Sequence, residues 1–348
     1  MNRINNITPA DRTAYMQAEK QWNSIAKPLG SLGELEKMIC KIASIQGDAD
    51  IDISRCAAAV FCGDHGVTAQ GVTQCGNEVT AVCARDIAEG RSNINAEAAV
   101  FGAEVIAVDL GISQDVECEK LINKKISRGT HDITLGPAMT EDQAVLALTA
   151  GMDTVCDLKS KGFNIIVSGE MGIGNTASAA TVSSVLLDLP AEKVTGRGAG
   201  LSSEGLERKI RAVQKAVEIN KPYKNSFDIL QKLGGFEIAG MTGLFLGGAF
   251  YHIPVIIDGV ISAASAALAY GINPLCGEYM LASHCSEEPA AKGLLDIIGM
   301  KAVINAGLRL GEGTGGMFLV PLLRGAEAVY KSAHKFEEIS MERYAELK

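Results

Sequence analysis

The sequence predicts an α/β fold: a doubly wound, mainly parallel sheet with a smaller helical domain built from both termini. Three observations predict it. From Cys56 onward, short and almost continuously apolar runs alternate with Ala-rich stretches long enough for helices. Each apolar run ends in Gly or Asp. The first fifty residues and the C-terminal tail instead carry helical patterning. The expected division is 1–50 with 317–348 for the helical domain and 51–316 for the sheet domain.

In chain order, Thr8-Pro9-Ala10-Asp11 places a cap residue before a proline at the first helical position, and a mixed run follows to Ile25. Lys27-Pro28-Leu29-Gly30-Ser31-Leu32-Gly33 breaks that helix, and a second is expected over 34–46. The strands are expected at 57–62, 105–110, 165–168, 254–258 and, more weakly patterned, 279–283. Their unbroken apolar character is that of strands covered on both faces. Right-handed crossovers then set a doubly wound order, with ligands at the carboxyl ends of the strands. Those ends carry Gly63-Asp64-His65-Gly66, Asp109-Leu110-Gly111, Gly169-Glu170-Met171-Gly172 and Asp258-Gly259. The tail from Met317 reads as helix.

Composition removes several classes of function. Of the 348 residues, 47% are hydrophobic, enough for a sizeable core, which argues against disorder and coiled coil. The 32 basic and 41 acidic side chains give a net charge of −9, and no basic run offers a nucleic acid a local patch. Gly and Pro interrupt every apolar stretch too early for a membrane span, and the polar first residues lack a secretory h-region. The nine cysteines are scattered without a CxxC pair, the pattern of free thiols in a reducing cytoplasm. Nothing shows metal-ligand spacing.

Chemistry concentrates in glycine clusters. Gly169-Glu170-Met171-Gly172-Ile173-Gly174-Asn175-Thr176 follows a strand and opens a helix, so backbone N–H groups and the helix dipole favour an anion such as phosphate. The plain alternative is a tight strand-to-helix turn with no ligand. Residues 172–177 also fit a dinucleotide fingerprint, but no second strand ending in an acid follows at the required distance. Glu312, within Gly311-Glu312-Gly313-Thr314-Gly315-Gly316, is a carboxylate unshielded by neighbouring side chains, suited to a general base or simply to an exposed loop. Arg197, within Gly196-Arg197-Gly198-Ala199-Gly200, and Lys209 offer positive charge to an anion or are surface charges. Asp64 and His65 point to opposite sides of a strand end and so make a poor dyad.

Together with Gly234-Gly235-Phe236-Glu237-Ile238-Ala239, the Lys27–Gly33 break and Leu308-Arg309-Leu310-Gly311, these motifs resemble the nicotinate-nucleotide–dimethylbenzimidazole phosphoribosyltransferases of cobamide synthesis. The likeness runs in register over residues 24–325. It implies a Rossmann-like phosphoribosyltransferase domain over 51–316 and a reaction. Nicotinate mononucleotide gives up its 5-phosphoribosyl group to an aromatic base, nicotinate leaves, and an α-riboside 5′-phosphate results. By resemblance Glu312 is the general base, and Glu170 and Asp258 stabilise positive charge at C1. Phosphate and nucleotide fall to Gly172, Gly174, Asn175, Thr176, Lys209, Ser286 and Gly311. The resemblance implies no metal or cofactor, and a homodimer or a heterodimer with a homologous chain.

The base pocket departs from dimethylbenzimidazole-using members, which resemblance suggests carry Ser and Gln where this chain has Cys75 and Cys83, beside Met171. A thiol is smaller and less polar than an amide. The expected acceptor is therefore dimethylbenzimidazole, another benzimidazole, adenine, or a phenol or p-cresol. Two rival readings stand beside this one: a subunit dependent on a homologous partner, and a dinucleotide-dependent oxidoreductase.

Overall fold

A computed structural model describes residues 2–344; Met1 and the last four residues of the expected C-terminal helical segment, 345–348, lie outside the described residues. Six parallel strands form one sheet in the order β3-β2-β1-β4-β5-β6. They are β1 (Cys56–Gly63), β2 (Ala103–Gly111), β3 (Ile122–Asn123), β4 (Ile165–Met171), β5 (Val255–Ile257) and β6 (Met280–Ala282). The doubly wound parallel architecture is as the sequence predicts.

Every residue of β1 is buried. Its side chains alternate between two apolar clusters: Ala57, Ala59 and Phe61 enter one, and Ala58, Val60 and Cys62 the other. Helices Glu141–Ser160, Asn175–Leu187, Phe236–Tyr251 and Val260–Ile272 build the first cluster. Helices Arg12–Trp22, Glu34–Gln46, Glu78–Glu89, Asn93–Phe101 and Leu319–Ser332 build the second. Two of the first layer's helices meet backbone to backbone: a Cβ on Gly151 would lie 1.9 Å from the Gly240 carbonyl oxygen, and one on Gly243 2.0 Å from that of Leu148. Glycine there is a packing requirement.

Four expectations need correction. The first expected helix starts after Asp11, whose carboxylate accepts from the Thr13 and Ala14 N–H groups, and ends at Trp22, with a one-turn helix, Asn2–Asn5, before it. An Asx cap outcompetes the Thr-Pro signal. The tail is not one helix: Leu319–Ser332 stops where Ala333 turns extended, and Lys335 pairs with Ile25. β3, with two residues and no readable pattern, went unforeseen. Finally, β4 does not end at Ser168, because it stays paired with β1 as far as Cys62↔Met171. Glu170 therefore belongs to a strand and not to the loop after it.

Candidate active site

The strand order reverses between β1 and β4, and a cavity of about 270 Å³ opens beyond the carboxyl ends of the sheet. The end of β4 contributes Glu170 and Met171, and the turn to helix Asn175–Leu187 contributes Gly172, Asn175 and Thr176. Asp258 and the N-terminus of helix Val260–Ile272 form a second wall, with His284, Ser286 and Glu288 beyond β6. Arg309, Gly311 and Glu312 close the rim, and Cys83 lies on the opposite helix, Glu78–Glu89.

Glu312 is held in an unusual way. It has φ of 62°, between Gly311 at 94° and Gly313 at 96°, so three successive residues are left-handed. For a glutamate that conformation costs energy and must be imposed by its surroundings. Asp258 imposes it by accepting from the Gly316 N–H at 2.7 Å and the Gly313 N–H at 3.3 Å. Gly169 makes room, since a Cβ there would lie 2.5 Å from the Glu312 carbonyl oxygen. The Glu312 carboxylate meets the start of helix Asn93–Phe101, accepting from Asn93 Nδ2 at 3.2 Å and the Ile94 N–H at 3.4 Å.

Glu170 is buried, and burial first, then the charges of Asp258 and Glu237, push its pKa well above the usual carboxylate range. Asn175 Nδ2 donates to its Oε2, and the Glu312 backbone N–H donates to the same carboxyl, both opposing that shift. His284, beside Asp258, is pushed down by burial and stays neutral.

The anion turn rests on a buried pair. His65 Nε2 lies 2.6 Å from Glu237 Oε1, and Nδ1 lies 2.8 Å from Ser178 Oγ on the helix that the turn opens. Asp64 points the other way and accepts from Ser113 N–H and Oγ, each at 2.7 Å. Gly174, with φ of 99°, packs on His65 behind the turn and does not line the cavity. Lys209 also sits behind the wall, with Nζ donating to Thr176 Oγ1 at 2.8 Å and to the Gly196 carbonyl at 3.1 Å. Burial lowers its pKa to about 8, which still leaves it mainly charged at neutrality.

Of the residues expected at the site, Glu312, Glu170, Asp258, Gly172, Asn175, Thr176, Ser286, Gly311, Cys83 and Met171 line one cavity. Cys75 does not line it, although it lies close enough to Cys83 for their charges to interact. Arg197 is spent on its own loop, donating to the Leu201 carbonyl and Ser203 Oγ, so its offer of charge to an anion is withdrawn.

A phosphoribosyltransferase family model matches residues 7–340. The chain belongs to that family. Nicotinate-nucleotide–dimethylbenzimidazole phosphoribosyltransferases from Acetivibrio thermocellus and Clostridium acetobutylicum are 40% and 38% identical to it, covering 94% and 100% of this chain and 93% and 99% of their own. A crystal structure of CobT from Thermus thermophilus superposes with a TM-score of 0.90 at 33% identity, over 95% of this chain and all of that one. Sequence reasoning passed over Arg309 and the His65–Glu237 pair. Arg309 stood inside a quoted motif beside a glycine cluster, and position alone could have marked it.

Proposed function

We propose that this phosphoribosyltransferase moves the 5-phosphoribosyl group of nicotinate mononucleotide to a benzimidazole base, the substrates named for its relatives. The observation that carries this is Glu312, forced into the cavity by the Asp258-anchored turn and sharing that cavity with the N-terminus of helix Asn175–Leu187. In this reading the phosphate rests on Gly172, Asn175 and Thr176, where N–H groups and the helix dipole favour an anion. Lys209 adds charge through Thr176, Gly174 shapes the turn, and Ser286 and Gly311 flank the nucleotide. Glu312 takes the ring N–H proton of the incoming base, whose nitrogen bonds to C1. The C1–N bond to the pyridinium breaks, and nicotinate leaves with the electron pair.

Asp258 supplies negative charge near the oxocarbenium-like C1. Glu170, whose pKa burial raises, is the weaker counter-charge of the two and faces the sugar hydroxyls from the end of β4. Met171 and Cys83 form the base wall, with Cys75 behind Cys83. A homodimer and a cytoplasmic location belong to the same proposal, as consequences of the family resemblance.

The test is nicotinate release from nicotinate mononucleotide and dimethylbenzimidazole by wild type and Glu312→Gln. Loss of the general base should lower turnover by roughly 10²–10⁴. Turnover at the wild-type level would assign the base elsewhere.

A further inference from the structure

His284 enters the cavity from the segment after β6. A parallel bridge to Ile304 fixes its backbone: the Ile304 N–H donates to the Ser283 carbonyl at 3.0 Å, and the Cys285 N–H to the Ile304 carbonyl at 3.3 Å. The ring lies against two glycines. A Cβ on Gly315 would come within 2.1 Å of Cε1, and one on Gly259 within 3.9 Å of Nε2. Ser283 Oγ donates its single proton to the Ile257 carbonyl at 2.6 Å. Toward His284 Nδ1, 3.0 Å away, it can then only accept, so Nδ1 carries the ring proton. Burial disfavours the charged ring. Nε2 is therefore a bare acceptor. Among the described residues it has no hydrogen-bond partner, and it is not sealed away from the cavity that His284 lines.

We propose that His284 selects the ribose of the nucleotide, its Nε2 accepting the O–H of the 2′- or 3′-hydroxyl. This rests on reading the cavity as the nicotinate mononucleotide site. The complement of a bare acceptor is a donor, and that requirement sorts the groups of the nucleotide. Its phosphate and carboxylate are anions and accept; its pyridinium nitrogen carries no proton. The two ribose hydroxyls are what it has to donate. Nothing about the ring needs to reorganise when the hydroxyl arrives, because Ser283 holds the tautomer and the glycines hold the plane. A nucleotide without that hydroxyl leaves Nε2 unpaired in the wall, at a penalty of roughly 10–100-fold in kcat/KM.

The test is kcat/KM for nicotinate release from nicotinate mononucleotide and from its 2′-deoxy and 3′-deoxy analogues, with wild type, H284F and H284Q. H284F keeps a flat ring but no acceptor. It should lower kcat/KM for nicotinate mononucleotide and leave one deoxy analogue nearly unaffected, so that the preference over that analogue shrinks about tenfold. The analogue that responds identifies the hydroxyl held. H284Q, which carries an amide oxygen toward the same place, should restore part of the preference. An H284F that keeps the full preference over both analogues overturns the proposal, as does one that slows all three nucleotides equally. A second measurement needs no variant to fold: the nitrogen-15 spectrum of the wild-type histidines at neutral pH should show His284 protonated at Nδ1 and bare at Nε2. A proton at Nε2 overturns the proposal. Wild type that releases no nicotinate from nicotinate mononucleotide removes instead the reading of the cavity beneath it.

Discussion

Replacing His65 with Leu should destabilise the protein more than any substitution on its surface. His65 and Glu237 have no solvent exposure and lie 2.6 Å apart. Glu237 Oε2 already lacks a partner, so His65 is what satisfies the carboxylate. Leu is close to His in volume, which keeps the cavity contribution small, and what remains is a buried carboxylate stripped of its partner. Breaking such a pair from one side costs about 3–5 kcal/mol. The lost contact with Ser178 adds about 1 kcal/mol. Removing both partners leaves no unpaired charge, so the double variant His65→Leu/Glu237→Met should recover most of the loss. The coupling between the two sites should then reach at least about 2 kcal/mol. Urea unfolding followed by circular dichroism, on wild type, both single variants and the double, reads all four corners of this cycle. Single-variant costs below about 1 kcal/mol, or costs that simply add, would refute the reasoning.

Two further outcomes follow from buried titrating groups. Glu170 has a native pKa above its unfolded value, so its contribution is most favourable below the unfolded pKa and is lost as pH rises toward the native one. Glu170→Gln should therefore melt higher than wild type, by a margin that widens as pH rises above the ordinary carboxylate range in scanning calorimetry; a constant margin would contradict the raised pKa. Lys209 has its pKa lowered by burial to about 8 from the ordinary 10.5, so burying its charge costs stability at neutral pH, and that cost fades as pH rises from 8 toward 10.5. Lys209→Met should thus be more stable than wild type at pH 7, yet raise KM for nicotinate mononucleotide about tenfold. An unchanged KM would move the phosphate away from Thr176.

Much of this fold was legible because its strands are covered on both faces, so that Cys-Ala-Ala-Ala-Val-Phe-Cys reads as strand without any alternation. Helix Glu34–Gln46 was read to the residue, since Gly33 and Gly47 bracket it. The parity argument at Asp64-His65 also held: the two side chains go to Ser113 and to Glu237, on different sides of the sheet end. Tertiary pairing was not legible. Gly169-Glu170-Met171 carries the residue types of a loop, and only the neighbouring β1 makes it strand.

Within the site, the glycine-flanked Glu312 was conspicuous because its local sequence creates the conformation that exposes it. The raised pKa of Glu170 was not legible, since its burial and the charges of Asp258 and Glu237 are supplied by distant segments.

The most direct measurement is an NMR spectrum of the ribosyl product formed from nicotinate mononucleotide and dimethylbenzimidazole. Attack at C1 from the face opposite the departing nicotinate predicts one product, the α-riboside 5′-phosphate, equimolar with released nicotinate and formed roughly 10²–10⁴-fold more slowly when Glu312→Gln replaces the wild type. A β-riboside, or nicotinate released without any riboside, would contradict the account.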